Sequence, residues 1–352
     1  MYTLVLNPGS TSTKIAIYED ETVLCSKSLS HSKEELGQFD TLLDQLDFRK
    51  QLVLQFIDEV GFDMHLLNCI VSRGGSPPNV LAGATTIDEN LVIALRERPK
   101  EPHPASLGPI IAYDISQQWN IPAYIYDPIT ADELNPLAKQ FGVKGIEHDS
   151  LTHLLNCRAK GISVAKELNK PFESLNLIIV HIGGGNSVTC WEKGHPVDLF
   201  PTDYGTFSAE RCGSVRLERA VALCKEHGFD EVMKWCHGKG GMVSLLGTND
   251  LREVEKMIQK GDAFALHCQQ AMAYQLAKLI SALFPVVEGQ IDGIVLTGGG
   301  AYWDRLVNDI KSRLAYSNVP FFVRPGEHEM QALAEGALRV MNGEERVHTY
   351  AS

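Results

Sequence analysis

Three loops of small residues in this chain could bind phosphate, because each one directly follows an apolar strand pattern. They lie at residues 8–13, 182–187 and 298–300. Glycines let backbone N–H groups approach an anion closely, and serine and threonine hydroxyls add further donors. The predicted phosphate-contacting residues are Asn7, Gly9, Ser10, Thr11, Ser12, Gly183, Gly184, Gly185, Gly298, Gly299 and Gly300. Three such loops indicate a nucleotide polyphosphate held together with a phosphoryl acceptor.

Two common nucleotide motifs do not account for these loops. Neither of the first two loops has the Walker pattern G-x-x-x-x-G-K-[ST], and each precedes a strand pattern where a P-loop would open a helix. The dinucleotide pattern G-x-G-x-x-G is also missing from the sequence. A single glycine-rich turn is most often a plain hairpin, whereas three turns at matching positions favour a nucleotide site.

The elements that must position these loops occur in the same order in both halves of the chain. Three strand patterns open the first half within residues 2–28, and helical and extended patterns alternate after them. After a break at residues 169–171, the same order begins again. This predicts two domains of the form βββαβαβα over residues 1–170 and 171–352, with the last helix packing back on the first domain.

A duplicated α/β unit with its ligand between the copies is the actin-like ATPase, or ribonuclease H-like, architecture. In that fold the loops near Gly9 and Gly184 would face each other across a central nucleotide cleft. The length of 352 residues agrees with two domains, since one hydrophobic core rarely serves more than about 250–300 residues.

Composition narrows the partners and the compartment. The formal net charge is −12, and the basic residues are dispersed, which argues against nucleic acid as a partner. No uninterrupted apolar run approaches the roughly 20 residues that span a bilayer, so we expect no membrane partner. The first residues enter a strand pattern without a basic signal segment, from which we expect a cytoplasmic protein.

Several segments resemble butyrate kinases, within the acetokinase branch of the actin-like superfamily. The similarity extends from residue 4 to residue 350, and its most specific segments are NPGSTSTK at residues 7–14, SRGG at 72–75, HIGGGNS at 181–187, ERCG at 210–213 and PGEHEM at 325–330. The resemblance implies reversible, ATP-dependent phosphorylation of a short-chain carboxylate to an acyl phosphate, with Mg²⁺. It also implies a homo-oligomer.

The expected chemistry depends on neutralising charge. A short-chain carboxylate is already ionised at pH 7, as side-chain carboxyls with a pKa near ~4 are, so no proton has to be removed from it. The planar guanidinium groups of Arg73 and Arg211 are the predicted clamps for the transferring phosphoryl group and the carboxylate. The resemblance adds His103 near the acceptor, His181 as a donor to the γ-phosphate, and Asp127 to orient an arginine or a magnesium-bound water.

Further residues are predicted for the nucleotide and the metal. The resemblance implies that Asp250 and Arg252 line the adenosine pocket. Asn7 could hold phosphate-bound Mg²⁺ through water, and either Glu327 or Glu329 is expected near the metal. The third loop is predicted to open a helix whose N-terminal N–H groups contact the α- and β-phosphates.

Three alternatives stay open. The acceptor-side segments differ from the butyrate kinase pattern, for instance in SPP at residues 76–78, so the acid could be isobutyrate, isovalerate, propionate or acetate. A hexokinase-like kinase for an alcohol would need a carboxylate base, a role that Asp127 alone could fill. A catalytically weakened paralogue that only binds nucleotide is the third.

Overall fold

The computed structural model describes residues 1–202 and 204–350. In chain order its strands are β1 Tyr2–Pro8, β2 Ser12–Glu19, β3 Thr22–Ser30, β4 Leu67–Arg73, β5 Ala84–Thr86, β6 Ala123–Tyr126, β7 Asn176–His181, β8 Ser187–Glu192, β9 His195–Phe200, β10 Gly293–Gly298, β11 Phe321–Pro325 and β12 Val347–His348. Its α-helices are α1 Lys33–Leu36, α2 Leu46–Glu59, α3 Glu89–Glu97, α4 Leu107–Trp119, α5 Pro136–Lys139, α6 Leu154–Leu168, α7 Leu217–His227, α8 Phe229–Cys236, α9 Gly241–Leu246, α10 Leu251–Gln259, α11 Ala263–Ala282, α12 Asp304–Arg313 and α13 Glu329–Met341.

The first sheet has the strand order β12-β5-β6-β4-β1-β2-β3. Strands β1, β2 and β3 pair antiparallel, whereas β4 lies parallel to β1 on its other side and β6 lies parallel to β4. Residues 3–8 of β1 are all buried, as expected of a central strand covered on both faces. The polar end of this strand therefore emerges from a rigid part of the sheet.

The second sheet repeats this order as β11-β10-β7-β8-β9. Strands β7, β8 and β9 pair antiparallel, and β10 and β11 continue the sheet in parallel on the other side of β7. Its strand order β11-β10-β7-β8-β9 corresponds to the order β6-β4-β1-β2-β3 in the first sheet. The predicted duplication of an α/β unit is therefore confirmed.

Helix α11 forms much of the core around the second sheet. Its buried face, which includes Cys268, Met272, Leu276 and Ile280, belongs to one apolar cluster with residues of β7 and β10. Among the described residues, the segment Ala263–Val287 is the one long and apolar enough to cross a membrane by length and composition. In the structure, α11 packs one face on this apolar cluster and leaves residues such as Phe264 and Tyr274 exposed.

The chain forms two compact units, one of Met1–Asp132 with the residues from His328 onward, and one of Glu133–Glu327. This division differs from the predicted boundary between residues 170 and 171. The physical reason is that α6 packs on β7 and β10 of the second sheet. Helix α13 packs on β1 and β4 and so belongs to the first unit.

Candidate active site

Three of the predicted polar side chains meet in the first unit, where the parallel strands β1 and β4 end. Arg73 Nη1 lies 2.9 Å from Glu329 Oε1, and Asn7 Nδ2 donates to Glu329 Oε2 at 2.8 Å. The side chains of Arg73 and Glu329 are 22% and 19% exposed, so a ligand can still reach them. Strand ends bring Asn7 and Arg73 to one edge of the sheet, and the first residue of α13 completes the group.

His103 lies close enough to this group for the charges of Arg73 and Glu329 to affect its pKa. Its Nδ1 accepts from the backbone N–H of Ala105 at 3.1 Å, which leaves the ring proton on Nε2. Burial lowers the pKa of His103 to about 4, with the Arg73 charge acting in the same direction and Glu329 in the opposite one. At neutral pH the imidazole is therefore an uncharged donor beside Arg73.

Asp127 occupies a held backbone position directly after β6. Its φ is +45°, a left-handed conformation that costs a non-glycine residue energy, and it is 1% exposed. Its Oδ1 accepts from Gly83 N–H at 2.7 Å, and its own N–H donates to Gly83 O at 3.0 Å. The strand register places the preceding Tyr126 opposite Arg73. Asp127 is thus a buried carboxylate that orders the end of β6, and β6 pairs with β4, the strand that carries Arg73.

The first predicted phosphate loop exposes two residues at its tip. Gly9 N–H donates to Ser12 O at 2.7 Å and closes the turn, while Ser10 and Thr11 are exposed. Within residues 1–202 and 204–350, the backbone N–H groups of Ser10 and Thr11 have no protein acceptor. Together with the two hydroxyl groups, these donors are available to an anion.

Sequence reasoning missed the residue that holds this loop. Arg49 of α2 is fully buried, and its Nη1 donates to Gly9 O at 2.9 Å, to Ser12 O at 3.1 Å and to Thr13 Oγ1 at 3.1 Å. A signal was present, because Arg49, Val53 and Phe56 share the helix spacing i, i+4 and i+7 of a buried face. A charged residue on that face could have marked a functional position.

In the second unit, the glycine loop after β7 is tied to the turn that carries Arg211. Gly183 N–H donates to Asn186 Oδ1 at 3.1 Å, within the loop. Gly184 O accepts from Ser208 Oγ at 2.5 Å and from Glu210 N–H at 3.0 Å. In the described part of the chain, no acceptor is present for the N–H groups of Gly184 and Gly185. The loop carbonyl is therefore used internally, and these two N–H groups can serve a ligand.

Arg211 lies directly against this glycine loop. Its Nη1 donates to Thr202 Oγ1 at 2.5 Å, and a Cβ added at Gly185 would be only 3.0 Å from Arg211 Nε. Glu210 does not pair with it, since Glu210 Oε1 accepts from Asn249. No carboxylate of residues 1–202 or 204–350 forms an ion pair with Arg211. The guanidinium is thus oriented beside the predicted phosphate loop.

His181 ends β7 within a network of polar side chains. Its Nδ1 accepts from Asn156 Nδ2 at 3.0 Å, so the ring proton is on Nε2, 3.0 Å from Glu327 Oε1. The ring of His153 stacks on it at a centroid distance of 3.7 Å and an interplanar angle of 9°. His153 was not predicted, although its spacing i, i+3 to Asn156 at the start of α6 places both on one helix face.

The third glycine loop differs from its prediction. Gly298 ends β10, residues Gly299–Tyr302 form a 3₁₀ turn, and α12 begins only at Asp304. The expectation that the glycines open an α-helix is therefore wrong. A Cβ added at Gly298 or Gly300 would lie 2.4 Å from atoms of Ile182, and Gly300 N–H donates to Ile182 O at 2.8 Å. Close packing of the chain on Ile182 explains these two glycines, whereas Gly299 has open space around it.

Asp250 and Arg252 are paired with each other. Asp250 caps α10 by accepting from Arg252 N–H at 2.9 Å, and Arg252 Nη2 donates to Asp250 Oδ2 at 2.7 Å. These hydrogen bonds lower the pKa of Asp250 to about 2. The Arg252 side chain is 87% exposed. The structure joins the segment to the glycine loop through Asn249, which donates to Glu210, and the adenosine contact stays a prediction.

The two sheets of matching order, each with a small-residue loop after its central strand, define an α/β protein of the actin-like ATPase fold. Solved structures of three carboxylate kinases are among those that share it. The acetate kinase of Porphyromonas gingivalis is 16% identical, with 96% of this chain and 99% of that chain covered and a TM-score of 0.80. The propionate kinase of Francisella tularensis is 18% identical over 95% and 98%, with a TM-score of 0.73, and the acetate kinase of Entamoeba histolytica is 18% identical over 96% and 98%, with a TM-score of 0.77.

The sequence profile of the acetokinase family matches residues 124–309, which is more than half of the chain. The chain therefore belongs to the acetokinase family of ATP-dependent carboxylate kinases. The predicted acetokinase branch and the predicted transfer of phosphate to a carboxylate are therefore confirmed, with ATP and ADP as the nucleotides.

Proposed function

We propose that this chain is a short-chain fatty acid kinase that converts butyrate and ATP to butyryl phosphate and ADP by direct in-line transfer. The observation that carries the proposal is the group formed by Asn7, Arg73 and Glu329 with His103 beside it. A guanidinium and an uncharged imidazole donor, both partly open to solvent, suit an organic anion. Membership of the acetokinase family supplies the reaction class.

The residues of this chain can supply the charge neutralisation that the reaction needs. Phosphoryl transfer is accelerated mainly by positioning and by electrostatic stabilisation of the equatorial oxygens. Arg211 lies against the glycine loop with its guanidinium held by Thr202, and we assign it to the transferring group. Arg73 and His103 then hold the acid. No side chain has to remove a proton from an acceptor that is already ionised.

For Mg²⁺ we assign Asn7 and Glu329 in preference to Glu327. Asn7 Nδ2 donates to Glu329 Oε2 at 2.8 Å, which brings the amide, whose Oδ1 is the potential ligand, next to a carboxylate, whereas Glu327 pairs with His181. Within the described residues no set of three or more His, Cys, Asp or Glu side chains could hold a metal. Two ligands fit Mg²⁺, which keeps much of its water and binds phosphate oxygens. When bound, the ion would neutralise phosphate charge.

The choice of butyrate rests on the sequence segments that resemble butyrate kinases. The acetate and propionate kinases above are under 20% identical, so their similarity supports the fold alone.

We further propose a cytoplasmic homo-oligomer without nucleic-acid or membrane partners. Light scattering after size-exclusion chromatography tests the oligomer.

Trapping of the acyl phosphate as a hydroxamate tests the reaction. The purified chain is given ATP, Mg²⁺ and each of a panel of straight and branched C2–C6 acids, and we expect the largest kcat/KM with butyrate. A larger value with acetate, propionate or a branched acid would replace butyrate. Silence across the panel, with binding of MgADP retained in calorimetry, would favour the nucleotide-binding paralogue.

A further inference from the structure

Arg49 is a buried cation that the proposed reaction does not yet use. It stands in the first turns of α2, and its side chain is fully buried. Its guanidinium donates to Gln45 Oε1 from Nε and Nη2 at 3.1 and 2.9 Å, and its remaining bonds reach the first phosphate loop. Those bonds go to Gly9 O, Ser12 O and Thr13 Oγ1, with a longer one to Ser10 O at 3.5 Å.

All of these acceptors are neutral. Among residues 1–202 and 204–350 no carboxylate forms an ion pair with Arg49. Burial lowers its pKa to about 10, so the group remains charged at neutral pH. A buried charge without a counterion is unfavourable, and an apolar residue would fill the space more cheaply. Stability alone therefore does not explain an arginine here.

The hydrogen bonds of Arg49 determine which backbone groups of the loop remain available to a ligand. Carbonyl groups of Gly9, Ser10 and Ser12 accept from the guanidinium. The N–H groups of Ser10 and Thr11, in contrast, meet no acceptor in the described part of the chain, and both residues are exposed. The guanidinium thus satisfies the acceptors of the loop and leaves its donors for an anion.

A second contact supports the same arrangement. Thr13 Oγ1 accepts from Arg49 Nη1 and lies 2.8 Å from Nε2 of the buried His31. Because the hydroxyl already accepts from Arg49, it can donate its proton to His31. His31 N–H in turn donates to Thr11 O at 2.8 Å. Arg49 and His31 therefore both hold the loop, and Arg49 is the charged residue of the two.

We propose that Arg49 is a positioning residue for the phosphate chain of the nucleotide: it holds the first loop so that Ser10 and Thr11 present their donors, and its charge attracts the anion that binds there. The inference rests on the proposed function for the identity of the anion as a nucleotide phosphate. The counter-charge that Arg49 lacks within the described protein is supplied by that ligand.

The test compares Arg49→Met and Arg49→Lys with Lys50→Met. Lys50 is the next residue of α2, but its Nζ pairs with Asp114 at 2.7 Å, so its loss removes the same charge without touching the loop. We expect Lys50→Met to keep kcat and the Kd of MgADP within about twofold of the wild type. Arg49→Met should lower kcat about 100-fold, in the range found when one preorganised donor is lost, while KM for the acid changes little.

Arg49→Lys keeps the charge but not the planar fork, so we expect a kcat between those of the wild type and Arg49→Met. If Arg49→Met does not fold, Arg49→Lys decides: a wild-type kcat and MgADP affinity in that variant would overturn the proposal. Equal kcat in Arg49→Met and Lys50→Met would do the same.

Binding separates this inference from the proposed function. Calorimetry with MgADP needs no acid and no turnover, so it remains informative if the wild type phosphorylates no acid. In that case the proposed function fails, and an at least tenfold weaker MgADP affinity in Arg49→Met than in Lys50→Met still supports Arg49. Equal affinities would refute it.

Discussion

Glu329 Oε1 accepts from Arg73 Nη1 at 2.9 Å, whereas Glu327, two residues earlier, lies 3.0 Å from His181 Nε2. The two carboxylates therefore belong to different units, because the chain passes from the second unit to the first between Glu327 and His328. This relationship separates two residues that the sequence presents as an equivalent acidic pair.

We predict that Glu329→Gln lowers kcat about 100-fold, the loss expected when one preorganised charged group of the site is removed. Glu327→Gln should lower kcat less than about fivefold. Glu329 accepts from both Arg73 and Asn7, and an amide would set its NH₂ group against one of these donors. Steady-state kinetics at several Mg²⁺ concentrations measures both variants. A larger loss in Glu327→Gln would assign the metal-side role to the other carboxylate.

Gly185 leaves room for Arg211. A Cβ at position 185 would lie 3.0 Å from Arg211 Nε and 3.1 Å from the Cβ of Thr202, so Gly185→Ala must displace the guanidinium. We expect kcat to fall at least about tenfold, since small displacements of a positioned group are costly. Gly142→Ala is the matched control, because nothing lies within 4 Å of its added Cβ and Gly142 is in none of the predicted phosphate loops. Equal kcat values for the two variants would contradict the role of Gly185.

The third loop gives a stability prediction. Gly298 has φ +83°, and its added Cβ would lie 2.4 Å from Ile182 O, so Gly298→Ala combines backbone strain with a clash against main-chain atoms. We expect it to lower the free energy of unfolding by more than about 1 kcal/mol, and Gly299→Ala to leave it nearly unchanged. Urea unfolding measures both. Similar unfolding midpoints would show that the loop adjusts at no cost.

The sequence predicts the sheets well because their central strands are chemically distinctive. Apolar runs at residues 4–6 and 178–180, each followed by a small-residue loop, predict strands covered on both faces, and the structure buries them completely. The short strands β5 and β12 were missed, since two or three residues carry no periodicity and pair only after distant segments meet. The domain boundary was misplaced for the same reason: packing of α6 on the second sheet is a long-range property.

The site was predictable where a strand end fixes a side chain. Asn7 and Arg73 follow apolar runs of two parallel strands, so their proximity could be inferred. The choice between Glu327 and Glu329 could not be made, because it depends on where the chain turns before α13. Arg49 was missed because an arginine within an amphipathic helix is usually read as solvent-exposed, and only the structure shows that the phosphate loop covers it.

The charge state of His103 gives a pH prediction. Burial, and then the Arg73 charge, lower its pKa from 6.5 to about 4, against the influence of Glu329. The unfolded chain therefore binds a proton between about pH 6.5 and 4 that the folded protein binds less readily, so this contribution destabilises the fold as the pH falls through that window. NMR titration of the imidazole should give a midpoint near 4. His103→Asn, which identifies the resonance, should lose less stability between pH 7 and 5 than the wild type, and a midpoint near 6.5 would contradict the prediction.

Replacement of Asp127 tests whether the chain phosphorylates a carboxylate or an alcohol. A general base contributes about 10²–10⁴-fold to a rate, so an alcohol kinase should lose nearly all turnover in Asp127→Asn. Here Asp127 is 1% exposed and its Oδ1 accepts from Gly83 N–H, a bond that the asparagine oxygen can keep. We expect Asp127→Asn to reduce kcat for the acid only about tenfold, because the acceptor needs no deprotonation and the variant disturbs orientation alone. The kcat is measured from pH 5 to 9 in both proteins. A loss of more than about 10³-fold, together with disappearance of an acidic limb from the wild-type pH profile, would identify Asp127 as a base and restore the alcohol kinase as the better explanation of this site.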